Sequence, residues 1–324
     1  MRPWKTLPAL VLTGALVLAA DPPASSNLVV VDAAGKEQKI KSWKFVAGTR
    51  PLGWLAPTTP AGGKEDKPAD KPARPGNKPQ QAESGPVAIE FRDENSTTLV
   101  DGVLTLLLPE HLKALEYDND KQSVTASVFL SEKADGDLKL TGTTKFTGIN
   151  KVTIEAEVDK GEAGIAEVKY QGGAARGVRA LRFPTPKPAP EVKGRPAFVA
   201  IEDKETKHAE QVFDLQPLYR FADGGERLLP TLLFKKTLKL DVSKIARLRA
   251  DARDAEGTDC HVTMKDGEEQ TYTLLKTATL DGKPATLEGL VGKVRGGYKF
   301  FPASTLASVH LDVQFDERKG QEKP

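Results

Sequence analysis

Val124-Thr125-Ala126-Ser127-Val128-Phe129-Leu130 places an apolar side chain at every second position, and Val152-Thr153-Ile154-Glu155-Ala156-Glu157-Val158 repeats the pattern. A strand turns successive side chains to opposite faces, so this alternation describes a sheet with one buried face. Working outward, such runs are punctuated where antiparallel strands must reverse: Asp135-Gly136, Asp266-Gly267 and Asp281-Gly282 each lie between two of them. Asp-Gly suits a tight hairpin because both residue types accept the positive φ that the turn requires. Helical periodicity is nearly absent, with short helical pieces expected only around 109–112 and 209–219. The expectation is an all-β protein of two domains, built from repeated short antiparallel strand units arranged as small barrels or sandwiches.

A second spacing, apolar-x-x-apolar-x-apolar, recurs as Ile40/Trp43/Phe45, Leu112/Leu115/Tyr117, Ile149/Val152/Ile154, Val178/Leu181/Phe183, Ile245/Leu248/Ala250 and Leu306/Val309/Leu311. Asp118, Asp251 and Asp312 follow three of these copies at the same place. The first apolar residue is expected to anchor a short turn, and the next two to lie on the inward face of the strand that follows. Two copies come after a strand that ends in proline, at Leu106-Leu107-Leu108-Pro109 and Lys299-Phe300-Phe301-Pro302. Val-Ala-Ile-Glu also occurs at both 87–90 and 199–202. Duplication of a strand unit would account for all of this.

Composition sets the boundaries. Arg2 and Lys5 precede an apolar run over 7–20 that ends in Val17-Leu18-Ala19, which predicts a signal peptide over 1–20 and export. The run is short for a bilayer span, so no transmembrane segment is expected after cleavage. Removing Arg2 and Lys5 and no acid leaves 45 basic residues against 45 acidic in the mature chain. That balance gives no electrostatic footprint for nucleic acid. Residues 56–85 are rich in Pro, Gly, Lys, Asp and Gln and hold no apolar residue larger than alanine or proline, and they are expected to be disordered. A proline-rich linker over 184–195 divides an N-terminal β domain (27–183) from a C-terminal one (196–315), and 316–324 is a charged tail.

The single cysteine, Cys260, excludes an internal disulfide framework. Alternation through Cys260-His261-Val262-Thr263-Met264 turns Cys260 inward and His261 outward, which separates them as a thiol–imidazole pair. His310, between inward Val309 and Leu311, should face solvent, and His111 falls in a turn. Asp118-Asn119-Asp120 resembles the opening of a calcium loop but lacks the glycine and the terminal acid such a loop needs, with Ser123 and Phe129 in their places. Trp43 and Trp54 flank a turn and are candidates for stacking on a sugar or peptide, although the repeat places Trp43 in the core. Gly-x-Ser-x-Gly, P-loop, Rossmann and His-Glu-x-x-His signatures are all missing from the sequence. No catalytic, cofactor-binding or metal-binding residue and no cofactor is assigned.

Two resemblances add to this reading. Residues 262–311, with an Asp-Gly turn, a glycine-rich return and Phe300-Phe301-Pro302 leading to Leu311, resemble the small Sm-like or SH3-like β-barrels of exported bacterial proteins. The stretches from Glu90-Phe91-Arg92 to Asp118, and from Leu140-Thr141-Gly142-Thr143-Thr144-Lys145-Phe146 to Val158, resemble exported β-repeat proteins of planctomycete-type bacteria, a family that carries no function to transfer. The functional expectation is a non-catalytic binding or scaffold protein of the cell envelope, engaging a protein or polysaccharide through its sheet surfaces or edges. The alternative is a secreted hydrolase with a carboxylate site outside any known motif.

Overall fold

The computed structural model describes residues 27–55, 86–92, 102–118, 120–121, 123–135, 138–150, 152–172, 177–202 and 207–312. The expected signal peptide, the 56–85 segment and the 316–324 tail lie outside them. Among the described residues the protein is all-β and antiparallel, and its only helical pieces are single 3₁₀ turns. No helix there is long and apolar enough to cross a membrane.

The N-terminal half contributes β1 (Leu28–Asp32), β2 (Glu37–Ile40), β3 (Ser42–Ala47), β4 (Thr49–Pro51), β5 (Val87–Arg92), β6 (Leu104–Leu107), β7 (Leu112–Asp118), β8 (Ser123–Asp135), β9 (Leu138–Gly148), β10 (Thr153–Asp159), β11 (Ile165–Gln171) and β12 (Val178–Arg182). The C-terminal half contributes β13 (Pro196–Glu202), β14 (Lys207–Phe221), β15 (Glu226–Leu228), β16 (Thr231–Phe234), β17 (Leu238–Asp241), β18 (Ile245–Arg253), β19 (Gly257–Met264), β20 (Glu269–Leu275), β21 (Thr277–Leu280), β22 (Lys283–Val294), β23 (Gly297–Pro302) and β24 (Leu306–Leu311). They form a six-stranded sheet in the order β2-β1-β12-β7-β8-β9, a three-stranded sheet β11-β10-β3, and one long sheet from β17 through β16-β20-β19-β18-β24-β13-β14-β22-β23-β6-β5 to β4. All three have free ends, so of the barrel and sandwich forms expected, closed barrels are not the ones built.

Most repeat positions are core. Leu112, Leu115, Tyr117, Val178, Leu181, Phe183, Ile245, Leu248, Leu306, Val309 and Leu311 are all buried, as are Trp43 and Phe45, and only Ile149 and Ala250 are half-buried. The spacing has a physical cause that alternation alone does not supply. In β7, β12, β18 and β24 the pairing register slips between the first and second apolar residue: Leu112 faces Val128 but Ala114 faces Ser127, and Ile245 faces Met264 but Arg247 faces Thr263. The same slip separates Val178 from Ala180 and Leu306 from Ser308. A bulge inserts one extra residue opposite the partner strand, so inward positions i and i+2 become i and i+3. A turn closes just before three of these strands, with Leu112 N–H donating to the Pro109 carbonyl, Ile245 N–H to the Val242 carbonyl and Thr305 N–H to the Pro302 carbonyl.

The same device corrects one expectation. Residues 209–219 are strand β14, not helix. Buried Val212, Leu215 and Tyr219 are spaced like a helix face, but the register slip at Phe213/Gln216, which adds one residue to β14, produces that spacing in a bulged strand, while the slip opposite Leu218/Tyr219 falls on β22 and Leu218 packs into a separate cluster. Asp214 sits in the first slip with φ of 48°, its carboxylate accepting from Arg195 N–H at 3.0 Å.

Two main cores and a seam hold the molecule together. The N-terminal core lies between the six-stranded and three-stranded sheets, with Leu28, Leu115, Val128 and Leu181 on one side and Trp43, Phe45, Ile154 and Ala156 on the other. The C-terminal core draws on β13, β14, β16, β18, β19, β20, β22, β23 and β24, so the long sheet must curl to enclose it. Between them, β6 pairs with β23 from Gly297↔Leu107 to Phe300↔Leu104, and a small third cluster of Leu52, Ala88, Leu106, Leu218, Val291 and Phe300 fills the joint. Strands from the N-terminal half thus complete the sheet of the C-terminal half.

Candidate functional site

The outer face of β18, β19, β20 and β24 brings arginine, histidine, threonine and carboxylate side chains onto one surface. The bulge after Ile245 sets the phase of β18: Ile245 and Leu248 turn inward, and Arg247, Arg249 and Asp251 turn out. Across the ladder, Arg249 faces His261 and Ser308, Arg247 faces Thr263 and His310, and His261 faces Thr271. Arg247, Arg249, His261, Thr263, Glu269 and Thr271 line a shallow, open groove of about 320 Å³ on this face.

His261 is fixed on both sides. Asp251 Oδ2 lies 3.0 Å from Nε2 and Thr271 Oγ1 lies 3.2 Å from Nδ1. A carboxylate can only accept, so Nε2 carries the proton, and in the neutral ring Nδ1 accepts from the Thr271 hydroxyl. Thr263 Oγ1 donates to Glu269 Oε1 at 3.2 Å. By contrast, the side chains of Arg247 and Arg249 form neither a hydrogen bond nor an ion pair among the described residues, and both are exposed. Their side chains leave the same face two residues apart, a rise of about 6.7 Å along a strand. Burial, and secondarily the charge of Arg247, lowers the His310 pKa, so that ring stays neutral at neutral pH.

Two guanidinium forks without an ion-pair partner, beside ordered hydroxyl and imidazole groups and the Glu269 carboxylate, are suited to carboxylate or other oxyanion ligands. The Thr271–His261–Asp251 line also has the connectivity of an activated hydroxyl. Here, however, it lies on an open sheet face whose main-chain N–H groups are committed to strand pairing, so no pair of backbone donors is turned toward an oxyanion.

The residues singled out from sequence are dispersed. Cys260 is fully buried beside Val262 in the C-terminal core, while His261 faces out. Burial pushes the Cys260 thiol up to about 12. Trp43 packs edge-on to Phe45 and Phe183 in the N-terminal core. Trp54 is half-buried at the seam, edge-on to Tyr298 with the Arg50 guanidinium 5.7 Å from its ring. His111 is buried in its turn, with Nδ1 3.1 Å from the Lys187 carbonyl. Asp118 closes the β7–β8 turn by accepting from the N–H groups of Asp120 and Lys121, each at 3.1 Å.

The repeat aspartates have diverged in role. Asp312, at φ of 61°, grips Arg195 through both oxygens at 2.8 and 3.0 Å and also meets Lys265. The Arg195 hydrogen bonds, aided by Lys265, hold its carboxyl down at about 2. This cluster ties the start of β13 to the end of β24 and is a latch. The sequence reading did not single out Arg247 or Arg249 as site residues. The available signal was their phase, because outward positions of a repeat strand carry two arginines opposite an outward histidine. Comparison with protein-family models, with curated proteins and with solved structures returns no match for this chain.

Proposed function

We propose that the protein is an exported, non-catalytic binding or scaffold component of the cell envelope, and that the open face of β18, β19, β20 and β24 is where it engages its partner. The observation that carries this reading is the pair of exposed, unpaired guanidinium groups of Arg247 and Arg249, set beside the fixed His261. An arginine fork recognises a carboxylate with two parallel hydrogen bonds, and two forks on one strand can take successive anionic groups of a polymer. An acidic polysaccharide and an acidic protein segment share that chemistry.

Calorimetric titration of the mature chain with a polyuronate and, separately, with polyglutamate tests the reading. Binding that weakens with salt, and falls at least ~10-fold in Arg247→Glu/Arg249→Glu with an unchanged melting temperature, is the expected result. The polymer bound more tightly identifies the partner class. Equal binding by the variant would remove this face from consideration. Export is tested by intact mass of envelope-fraction protein, which should lack about the first 20 residues.

A further inference from the structure

The three-stranded sheet ends in an edge that suits a second copy of itself. No described strand covers the outer side of β11, Ile165-Ala166-Glu167-Val168-Lys169-Tyr170-Gln171. Gly172 N–H donates to the Val152 carbonyl at 3.0 Å and Lys160 N–H to the Gly164 carbonyl at 2.9 Å, so even-numbered residues of this strand direct their main-chain groups at β10. It follows that Ile165, Glu167, Lys169 and Gln171 turn their N–H and C=O groups to the free edge. The strand is unbulged and holds neither proline nor glycine. Other edges are blunted: β3, the far edge of the same sheet, carries a bulge between Phe45 and Ala47, β4 has three residues and ends in Pro51, β2 and β17 have four each, and β9 contains Gly142 and Gly148. Natural proteins use shortness, proline and irregularity to keep edges from pairing.

The geometry points to antiparallel pairing of β11 with β11 of a second copy, about a two-fold axis through Val168. In that register Glu167 lies opposite the partner's Lys169 and Lys169 opposite the partner's Glu167, both as hydrogen-bonded pairs. Ile165, at 73% the most exposed large apolar side chain described, lies opposite the partner's Gln171. On the other face, half-buried Val168 meets the partner's Val168, and Ala166 meets the partner's Tyr170. The neighbouring registers that still use the free groups are disfavoured, because centring on Glu167 opposes two carboxylates and centring on Lys169 opposes two ammonium groups. Both charges are available: Glu155, which faces Lys169 within the chain, is taken by Lys44, and Glu167 faces another acid, Glu157. Pairing would join the two small sheets into one of six strands, β3-β10-β11-β11-β10-β3, with the polar faces of both copies left free.

Sedimentation equilibrium of the mature chain tests this, with a concentration-dependent dimer expected. Glu167→Lys and Lys169→Glu should each weaken it about tenfold or more, and the double exchange Glu167→Lys/Lys169→Glu should restore it. Glu167→Lys also relieves the contact with Glu157, so its melting temperature should not fall and lost dimer cannot be ascribed to lost fold. Val168→Cys should cross-link between copies on mild oxidation, because the directly opposed residues on the axis are a close non-hydrogen-bonded pair, whereas Ala166→Cys should not. A protein monomeric up to ~100 μM by that measurement overturns the proposal. So does a dimer indifferent to both single reversals, or one in which Ala166→Cys cross-links and Val168→Cys does not.

Discussion

At the scale of single residues, burial and charge pairing decide what each side chain can do. Cys260 is the sequence's most tempting nucleophile and the structure's least accessible one. Alternation through 260–264 made that legible, since it needs only the phase of one strand. A thiol that ionises near 8.5 when unfolded and about 12 when folded makes the folded state the better proton binder. Its contribution to stability is therefore present below about pH 8.5 and is lost as pH rises toward 12, in company with buried Tyr117 and Tyr219, which burial also shifts upward. A thiol reagent should label the native protein slowly and the unfolded protein quickly, and fast native labelling that titrates near neutral pH would contradict the burial. Asp312 has the opposite sign. Its carboxyl is held low, so its stabilisation is present above about pH 4 and is lost as pH falls toward 2. Asp312→Asn should flatten the acid limb of an unfolding-versus-pH series by about the amount of stability it removes at pH 7, and both changes should be small because the group is partly exposed.

At the scale of elements, a bulge writes its own signature into the sequence. Apolar residues at i, i+3 and i+5 were readable as a recurring pattern, but the reason for the extra residue was not, because it depends on the register against a partner strand distant in sequence. Where a bulge falls in mid-strand, as between Phe213 and Gln216 in β14, the same effect imitates helical spacing, and the local pattern misleads. The Asp281-Gly282 turn suffers no such ambiguity: at φ of 51° and 74°, the two residues close the hairpin between β21 and β22 as their composition predicts. Leu115→Ala and Leu248→Ala should each cost about 2–5 kcal/mol of stability, since both are buried leucines with neighbours on several strands. Lys113→Ser and Arg247→Ser, at outward bulge positions, should change stability by less than ~0.5 kcal/mol. Denaturant unfolding checks the set, and equal losses in the two classes would mean the bulges do not set the phase.

At the scale of the whole molecule, strand pairing ignores the proline-rich linker as a boundary. The all-β class was legible because period-two alternation and turn residues are local. The continuity of the long sheet through β6 and β23 was not, because nothing in Leu104–Leu107 or Gly297–Pro302 names its partner. With Leu106, Leu218 and Phe300 shared across that seam, the mature protein should unfold in one calorimetric transition, and Leu218→Ala should lower its midpoint without splitting it. Two well-separated transitions would show that the halves are independent. The candidate face was only half legible: the residues could be phased, but four strands from 245–311 had to be assembled before Arg247, Arg249, His261 and His310 shared a surface. That the molecule acts through this open face is tested most directly by following the arginine Nε–Hε signals by NMR while a polyuronate is titrated into the mature protein. Saturable shifts confined to Arg247 and Arg249, with His261 ring signals moving at the same concentrations, are the predicted result. Shifts that leave those groups unmoved while other arginines respond would contradict it.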